Sequence, residues 1–413
     1  ISRKIKLFRR SVHYFRFGLF WLVMKILHTS DLHIGKKLNG RSRLDEQKEV
    51  LTELCDIAEE ERSDLVIIAG DVFDTSVPSA EAEELFFWFI KKLSSPKRAV
   101  VIISGNHDDW QRLCACRDLA AKSNVYVFGG GFAPPAGSGE NIVYAEETGV
   151  NFCVIKKGDE RVYLGLLPYQ SEQRLGEKKS EQSYEERMRE KIDECFAQNA
   201  GGLPQVFVGH LFMLGGSGTD GERQIELGGT RLISKDIIPE KCLYSALGHL
   251  HKRQVIDEKR CILYSGSILG YSFDEAGIEK SVTCFEIAGG ELTSLHTAAF
   301  TKGKKLVNLT ATDLAAGEEL LKRYEDCLAK LTLKLDHALS EKESKELLTE
   351  YPSLCELDLV TSLSERREKG KDRRKLSDEE AFVEYYKSRF ETEPPKELLQ
   401  LYLEFMSDGG VDR

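Results

Sequence analysis

Short apolar runs, each broken off by a compact polar motif, recur through the first part of the chain. Residues 25–30 lead into Asp31-Leu32-His33, and residues 65–69 lead into Gly70-Asp71-Val72-Phe73-Asp74. Residues 100–104 precede Gly105-Asn106-His107-Asp108, residues 206–208 precede Gly209-His210, and residues 244–247 precede Gly248-His249-Leu250-His251. Runs this short and this apolar predict buried strands. Between the first two, Leu44, Leu51, Leu54, Ile57 and Ala58 follow helical spacing. Before the third, Leu85, Phe86, Trp88, Phe89 and Leu93 do the same. Such β-α-β crossovers imply parallel strands covered by helices.

From Val206 to about Phe300 the pattern shortens to alternating strands with glycine-rich connections, including Gly215-Gly216-Ser217-Gly218. These lack the Gly-Lys-Ser/Thr of a nucleotide loop and read as turns or substrate-facing loops. Beyond residue 300, Asp313 is placed to cap a helix containing Leu320, Leu321, Tyr324 and Leu328. Strand-like alternation follows at Leu331, Leu333 and Leu335, and again at Leu357-Asp358-Leu359. A charged run, Ser364 to Lys375, reads as a solvated linker. Ser377 and Glu380 then form a capping box before Phe382, Tyr385, Tyr386 and Phe390. After Pro394-Pro395, Leu398, Leu399, Tyr402, Leu403 and Met406 repeat the amphipathic spacing.

The motifs carry the chemistry. Parallel strands bring their ends to one edge, where carboxylate, amide and imidazole groups converge. Two divalent cations roughly 3.5–4 Å apart, which clamp a phosphate and activate water, need hard or borderline O and N ligands and a bridging carboxylate. Asp71 is the bridging candidate. Asp31 with His33, and His249 with His251, sit two residues apart and so face the same way in extended backbone. Asn106 offers a neutral amide oxygen, and His107 is left to act as general acid or base. Glycines before Asp71, Asn106, His210 and His249 suit sharp strand exits and close backbone approach. One motif alone would read as an ordinary turn. Five in succession supply a full ligand set for two cations with one histidine over. His28, inside the first strand, reads as a packed or supporting histidine, while His13, His296 and His337 belong to no constellation.

These stretches resemble the calcineurin-like metallophosphoesterases and, within them, the nuclease subunits of SbcCD-type complexes, relatives of the archaeal and eukaryotic double-strand-break repair nucleases. The residues that carry the likeness are 27–35, 78–82 (Pro-Ser-Ala-Glu-Ala), 226–230 (Glu-Leu-Gly-Gly-Thr), 246–251 and 264–267 (Tyr-Ser-Gly-Ser). The likeness is strong from Met24 to about residue 300 and looser to near 408. It implies a four-layer α-β-β-α sandwich with a small α/β capping domain and C-terminal helices. It also implies two manganese ions, one on Asp31, His33, Asp71 and His251, the other on Asp71, Asn106, His210 and His249. His107 would assist the leaving oxygen, with Asp108 steadying its imidazole. The activity implied is 3′-to-5′ exonuclease action on duplex DNA ends with endonuclease action on single strands and hairpins. The implied partner is a coiled-coil ATPase of the SbcC type in a heterotetramer, with a nuclease homodimer inside it, in the cytoplasm at the nucleoid. No Walker motif occurs in this chain, so ATP would be bound by the partner. The competing readings are a small-molecule phosphodiesterase or nucleotidase, which leaves the cap and tail unexplained, and a non-catalytic DNA scaffold, which leaves the complete ligand set unexplained.

The expected domains are residues 24–300 (nuclease), 301–362 (cap), 363–376 (linker) and 377–408 (helices that bind the ATPase). Residues 1–23 combine Arg3, Lys4, Lys6, Arg9 and Arg10 with an aromatic stretch interrupted by Arg16 and Gly18. That stretch is far short of the ~20 apolar residues a membrane span needs and has no small-residue cleavage pattern. We expect a non-native or misassigned N-terminal extension, with an amphipathic membrane-surface helix as the alternative. At 413 residues, with 41% hydrophobic content, the chain can form two or three domains around a sizeable core. Ten scattered cysteines without a paired Cys-x-x-Cys read as reduced, mostly buried thiols. The net charge of −10 argues against tight unaided DNA binding. Two dications at the phosphate site, local basic residues (Lys36, Lys37, Arg41, Arg43, Lys252, Arg253) and a partner would offset it.

Overall fold

The computed structural model describes residues 23–171, 175, 182–219, 232–337 and 339–361, with 382–383, 386–387, 394–395 and 398–399. The expectations for residues 1–22, the 226–230 stretch, the charged linker and most of the C-terminal helices lie outside the described residues.

The strand Leu65–Ala69 is buried at every position, as expected of a strand covered on both faces. Leu65, Ile67 and Ala69 enter one core, and Val66 and Ile68 another. Ala99–Ile103 repeats the division, with Ala99, Val101 and Ile103 on one side and Val100 and Ile102 on the other. Period-two alternation therefore builds two cores from one apolar run. The six-stranded sheet runs in the order Glu291–Ala299, Ser281–Ala288, Met24–Thr29, Leu65–Ala69, Ala99–Ile103, Val125–Phe128. Its last four strands are mutually parallel, and Ser281–Ala288 pairs antiparallel with Met24–Thr29.

The seven-stranded sheet runs Gln254–Asp257, Ile262–Tyr264, Cys242–Gly248, Gln205–His210, Glu160–Leu167, Phe152–Lys157, Val143–Gly149. Its four central strands are parallel. The core between the sheets holds Ile26, Ile67, Val101, Val208, Tyr244 and Phe285 among others. Helices Leu44–Glu60 and Ala80–Leu93 pack Val50, Leu51, Leu54, Phe86 and Phe89 against the outer face of the first sheet. Ser79 starts the second of these helices by accepting the Ala82 amide. Helix Tyr184–Phe196 packs Met188, Ile192 and Cys195 on the outer face of the second sheet. The result is the expected four-layer helix–sheet–sheet–helix arrangement.

The chain divides into two compact units, residues 1–307 with 326–328, and residues 308–325 with 329 onward. Within the second, Asp313 accepts the Ala316 amide at 2.8 Å and starts helix Leu314–Arg323. Strand Leu328–Leu335 pairs in parallel with Leu354–Thr361, and the strand Leu306–Ala311 completes a three-stranded sheet. Helix Glu341–Glu350 opens on a capping box of Ser340 and Glu343. None of the ten cysteines is in a disulfide. Among the described residues no helix is long and apolar enough to cross a membrane.

Candidate metal centre

Asp31 and Asp71 follow the strands Met24–Thr29 and Leu65–Ala69, and Asn106 follows Ala99–Ile103. His210 is the last residue of Gln205–His210, and His249 follows Cys242–Gly248. Backbone bonds knit these strand ends together: Asp31 N–H donates to Gly70 O (3.1 Å) and His33 N–H to Asp71 O (3.0 Å). His249 N–H donates to Asp31 Oδ1 at 2.9 Å, and His107 N–H to Asp71 Oδ1 at 2.9 Å. Asp31, His33, Asp71 and His249 all have positive φ (52°, 43°, 49° and 111°), a conformation that costs a non-glycine residue about 1–3 kcal/mol. Four such residues in one cluster mark a place where side-chain direction is fixed at the expense of backbone comfort.

The donors converge in two buried sets. Asp31, His33 and His251 bring ligand atoms within 4.8 Å of one another, as do Asp71, His210 and His249. Asn106 Oδ1 joins the second set, 2.9 Å from His210 Nε2 and 3.0 Å from His249 Nδ1. Asp71 Oδ2 lies between the sets, 3.6 Å from His33 Nε2 and 3.4 Å from His210 Nε2. All seven expected ligands are therefore gathered at one edge.

Their outer atoms orient them. His210 Nδ1 lies 2.9 Å from the Ala69 carbonyl, which can only accept, so Nδ1 carries a proton and Nε2 is the ring atom turned inward. Glu275 Oε1 sits 3.4 Å from His251 Nδ1, with the same consequence, and Asp74 Oδ1 lies 3.5 Å from His33 Nδ1 without a hydrogen bond between them. His33 Nε2 and His251 Nε2 face each other at 3.0 Å. Two ligands about 2.1 Å from one cation and at right angles are about 3.0 Å apart, so this contact suits a pair sharing an ion.

The electrostatics fit the same reading. Burial lowers His33 and His249 to about 3, leaving them neutral as metal binding requires. Burial works against Asp71, yet His210, His33 and His107 hold its carboxyl well below the usual range. Burial would also lower His210, but the charge and hydrogen bond of Asp71, then Asp31, push it up to about 9. Asp31, buried and beside Asp71, is pushed up to about 7. Without metal, Asp31 is thus drawn toward its protonated form and His210 holds a second proton beside the Asp71 carboxylate, and divalent cations would displace both protons.

His107 stands beside both sets, its ring 4.6 Å from that of His33. Its Nδ1 is 2.6 Å from the Asp74 carbonyl, so Nδ1 carries a proton and Nε2 is the atom that can exchange one. The expectation that Asp108 steadies this imidazole needs correction. The Asp108 carboxylate accepts Gly105 N–H (2.8 Å), Phe73 N–H (2.9 Å) and Val72 N–H (3.2 Å), and so staples two motif loops. Asp74 does the imidazole work. It was legible only as the last residue of the 70–74 motif, and Glu275 gave no signal because it reaches His251 from a separate loop. Lys280 in turn donates to Glu275 Oε2 and, at 2.9 Å, to the His251 carbonyl. His28 is buried in the sheet with Nδ1 2.8 Å from Tyr244 OH, and burial lowers it to about 3, a packed histidine as expected.

A fold of two packed sheets with such a centre is that of a phosphoesterase, and the calcineurin-like phosphoesterase family model matches residues 24–253. The chain belongs to that family. The SbcD subunit of the SbcCD nuclease of Bacillus subtilis is 34% identical over 408 residues, covering 94% of this chain and 99% of its own length. The protein of the same name from Rhodobacter capsulatus is 34% identical over 281 residues (65% and 67%), and that from Escherichia coli K12 is 29% identical over 326 residues (78% and 79%). Within the phosphoesterases the chain thus falls in the SbcD family.

Proposed function

We propose that this chain is a metal-dependent DNA nuclease, the phosphodiester-cutting subunit of a complex with an SbcC-type ATPase. The observation that carries the reading is the pair of donor sets meeting at Asp71 with His107 beside them. Asp31, His33, Asp71 and His251 would hold one manganese ion, and Asp71, Asn106, His210 and His249 the other. Bound there, the pair supplies Lewis acidity toward a phosphate and an activated water. His107, with Nδ1 fixed on the Asp74 carbonyl, presents Nε2 to the leaving sugar oxygen and hands it a proton. Asp108 keeps the Asp71 and Asn106 loops at their spacing. Substrates would be duplex ends, cut 3′ to 5′, and single-stranded or hairpin DNA. The complex would be a cytoplasmic, nucleoid-associated heterotetramer with two nuclease subunits and a coiled-coil ATPase.

The test is a manganese-dependent assay of the purified chain on linear duplex, hairpin and plasmid DNA and on small phosphodiesters, with and without the ATPase. Cleavage of DNA ends, stimulated by ATPase and ATP, is expected. Hydrolysis of small diesters with no DNA cleavage under either condition would favour the small-molecule reading instead.

We assign residues 301–362 to a cap that limits DNA entry and residues 377–408 to the ATPase-binding segment, on the amphipathic stripes beyond Ser377. Truncation after Lys375 should leave metal binding and small-diester hydrolysis in place and abolish co-purification with the ATPase, because a few apolar anchors carry most of such an interface. Tyr386→Asp with Leu399→Asp should reproduce the loss. Unchanged affinity in the truncated chain would move the grip to the nuclease core.

A further inference from the structure

A second group of metal-type donors lies on the outer face of the first sheet, built from Glu61, Cys284 and His296. Cys284 and His296 are directly paired across the antiparallel strands Ser281–Ala288 and Glu291–Ala299, so their side chains leave the same face of the sheet. Glu61 caps the C-terminal end of helix Leu44–Glu60, which lies over that face. Its Oε2 comes within 3.2 Å of His296 Nε2, and all three donor atoms lie within 4.8 Å of one another.

The surroundings favour a cation. A helix C-terminus carries partial negative charge, and this one has no basic residue in its last turn. It ends instead in Glu59, Glu60 and Glu61. Arg98 meets Glu59 at 3.0 Å, and the Arg62 amide donates to the Glu59 carbonyl, which leaves Glu61 directed at the histidine. The histidine side chain is 44% exposed and the glutamate 33%, while Cys284 is buried, so an ion can reach the group from solvent and close over the thiol.

We propose that Glu61, Cys284 and His296 form a separate site for a borderline-soft divalent ion, zinc above all, distinct from the nuclease centre in position and in metal preference. Thiolate, imidazole and carboxylate are a tetrahedral zinc set with the fourth position open to water, whereas manganese and magnesium favour oxygen-rich sites. Tetrahedral ligand edges are about 3.3–3.6 Å, so the trio closes on an ion with a movement of about 1 Å. As the metal–sulfur bond forms, the thiol proton leaves to solvent. The ion ties Glu291–Ala299, an edge strand of the sheet, to the end of the helix above it.

Cobalt(II) is the probe, because a thiolate ligand gives it a near-ultraviolet charge-transfer band that an all-nitrogen-and-oxygen centre lacks. Titrating the full chain should develop this band to the intensity of one thiolate-bound cobalt per chain, and zinc should displace it. Cys284→Ser should abolish the band. His296→Ala and Glu61→Gln, both at the surface, should weaken binding ~10-fold or more, read as a shift in the midpoint of the cobalt band's titration. Manganese-dependent cleavage by His296→Ala should be unchanged. If Cys284→Ser does not fold, the two surface variants still decide the matter. Absence of the band, or a band unaffected by His296→Ala, overturns the proposal and leaves an ordinary ion pair above a buried cysteine.

Discussion

Replacing His107 with Ala should lower DNA cleavage by about 10²–10⁴-fold, the usual contribution of a positioned general acid or base, while leaving metal binding nearly intact. The division follows from the geometry. His107 turns Nδ1 to the Asp74 carbonyl and its backbone N–H to Asp71, and its ring, though it groups with His33 and Asp74, lies outside the two sets that meet at Asp71. Asp71→Ala should lose both activity and metal, because Asp71 Oδ2 lies between His33 and His210 and serves both sets. Manganese titration of the two variants beside a cleavage assay checks this. Equal metal stoichiometry in both would remove the proposed division of roles.

The second large effect is expected at Gly248. A Cβ there would lie 1.8 Å from the Ala69 carbonyl oxygen and 2.9 Å from His210 Nδ1. Ala69 belongs to the first sheet and Gly248 to the second, so the glycine permits the two sheets to touch beneath the metal centre. The obstacle is backbone and cannot swing aside. Gly248→Ala should therefore destabilise the protein by about 1–3 kcal/mol through overpacking and displace His210, weakening metal binding. Gly201→Ala, where a Cβ meets nothing within 4 Å, is the matched control. Thermal unfolding with and without manganese reads both effects. A Gly248→Ala protein with the Tm and metal affinity of the parent would show that the sheets can separate without cost.

The strands and the convergence of the seven donor residues were legible because burial on both faces writes a strand as an uninterrupted apolar run, and because the donors sit where such runs stop. Leu65–Ala69 and Ala99–Ile103 are the clearest cases. Val143–Gly149, at the edge of its sheet, buries only Val143 and Ala145, and so offers no such run. Helix Glu341–Glu350 leaves most of its described side chains in solvent and so shows little apolar face to read. Asp108 misled for a different reason. Proximity in sequence to His107 suggested a partner, but its carboxylate turns to the amides of Gly105, Val72 and Phe73, a contact between two motif loops that only the fold creates. Glu275 reaches His251 across 24 residues by the same kind of long-range pairing.

That two cations share Asp71 is tested most directly by anomalous diffraction at the manganese edge, from crystals of the full chain grown with manganese. Two peaks are expected, one among Asp31, His33 and His251 and one among Asn106, His210 and His249, both within coordinating distance of the Asp71 carboxylate. A single peak, or two peaks of which only one reaches Asp71, would contradict the shared-carboxylate centre.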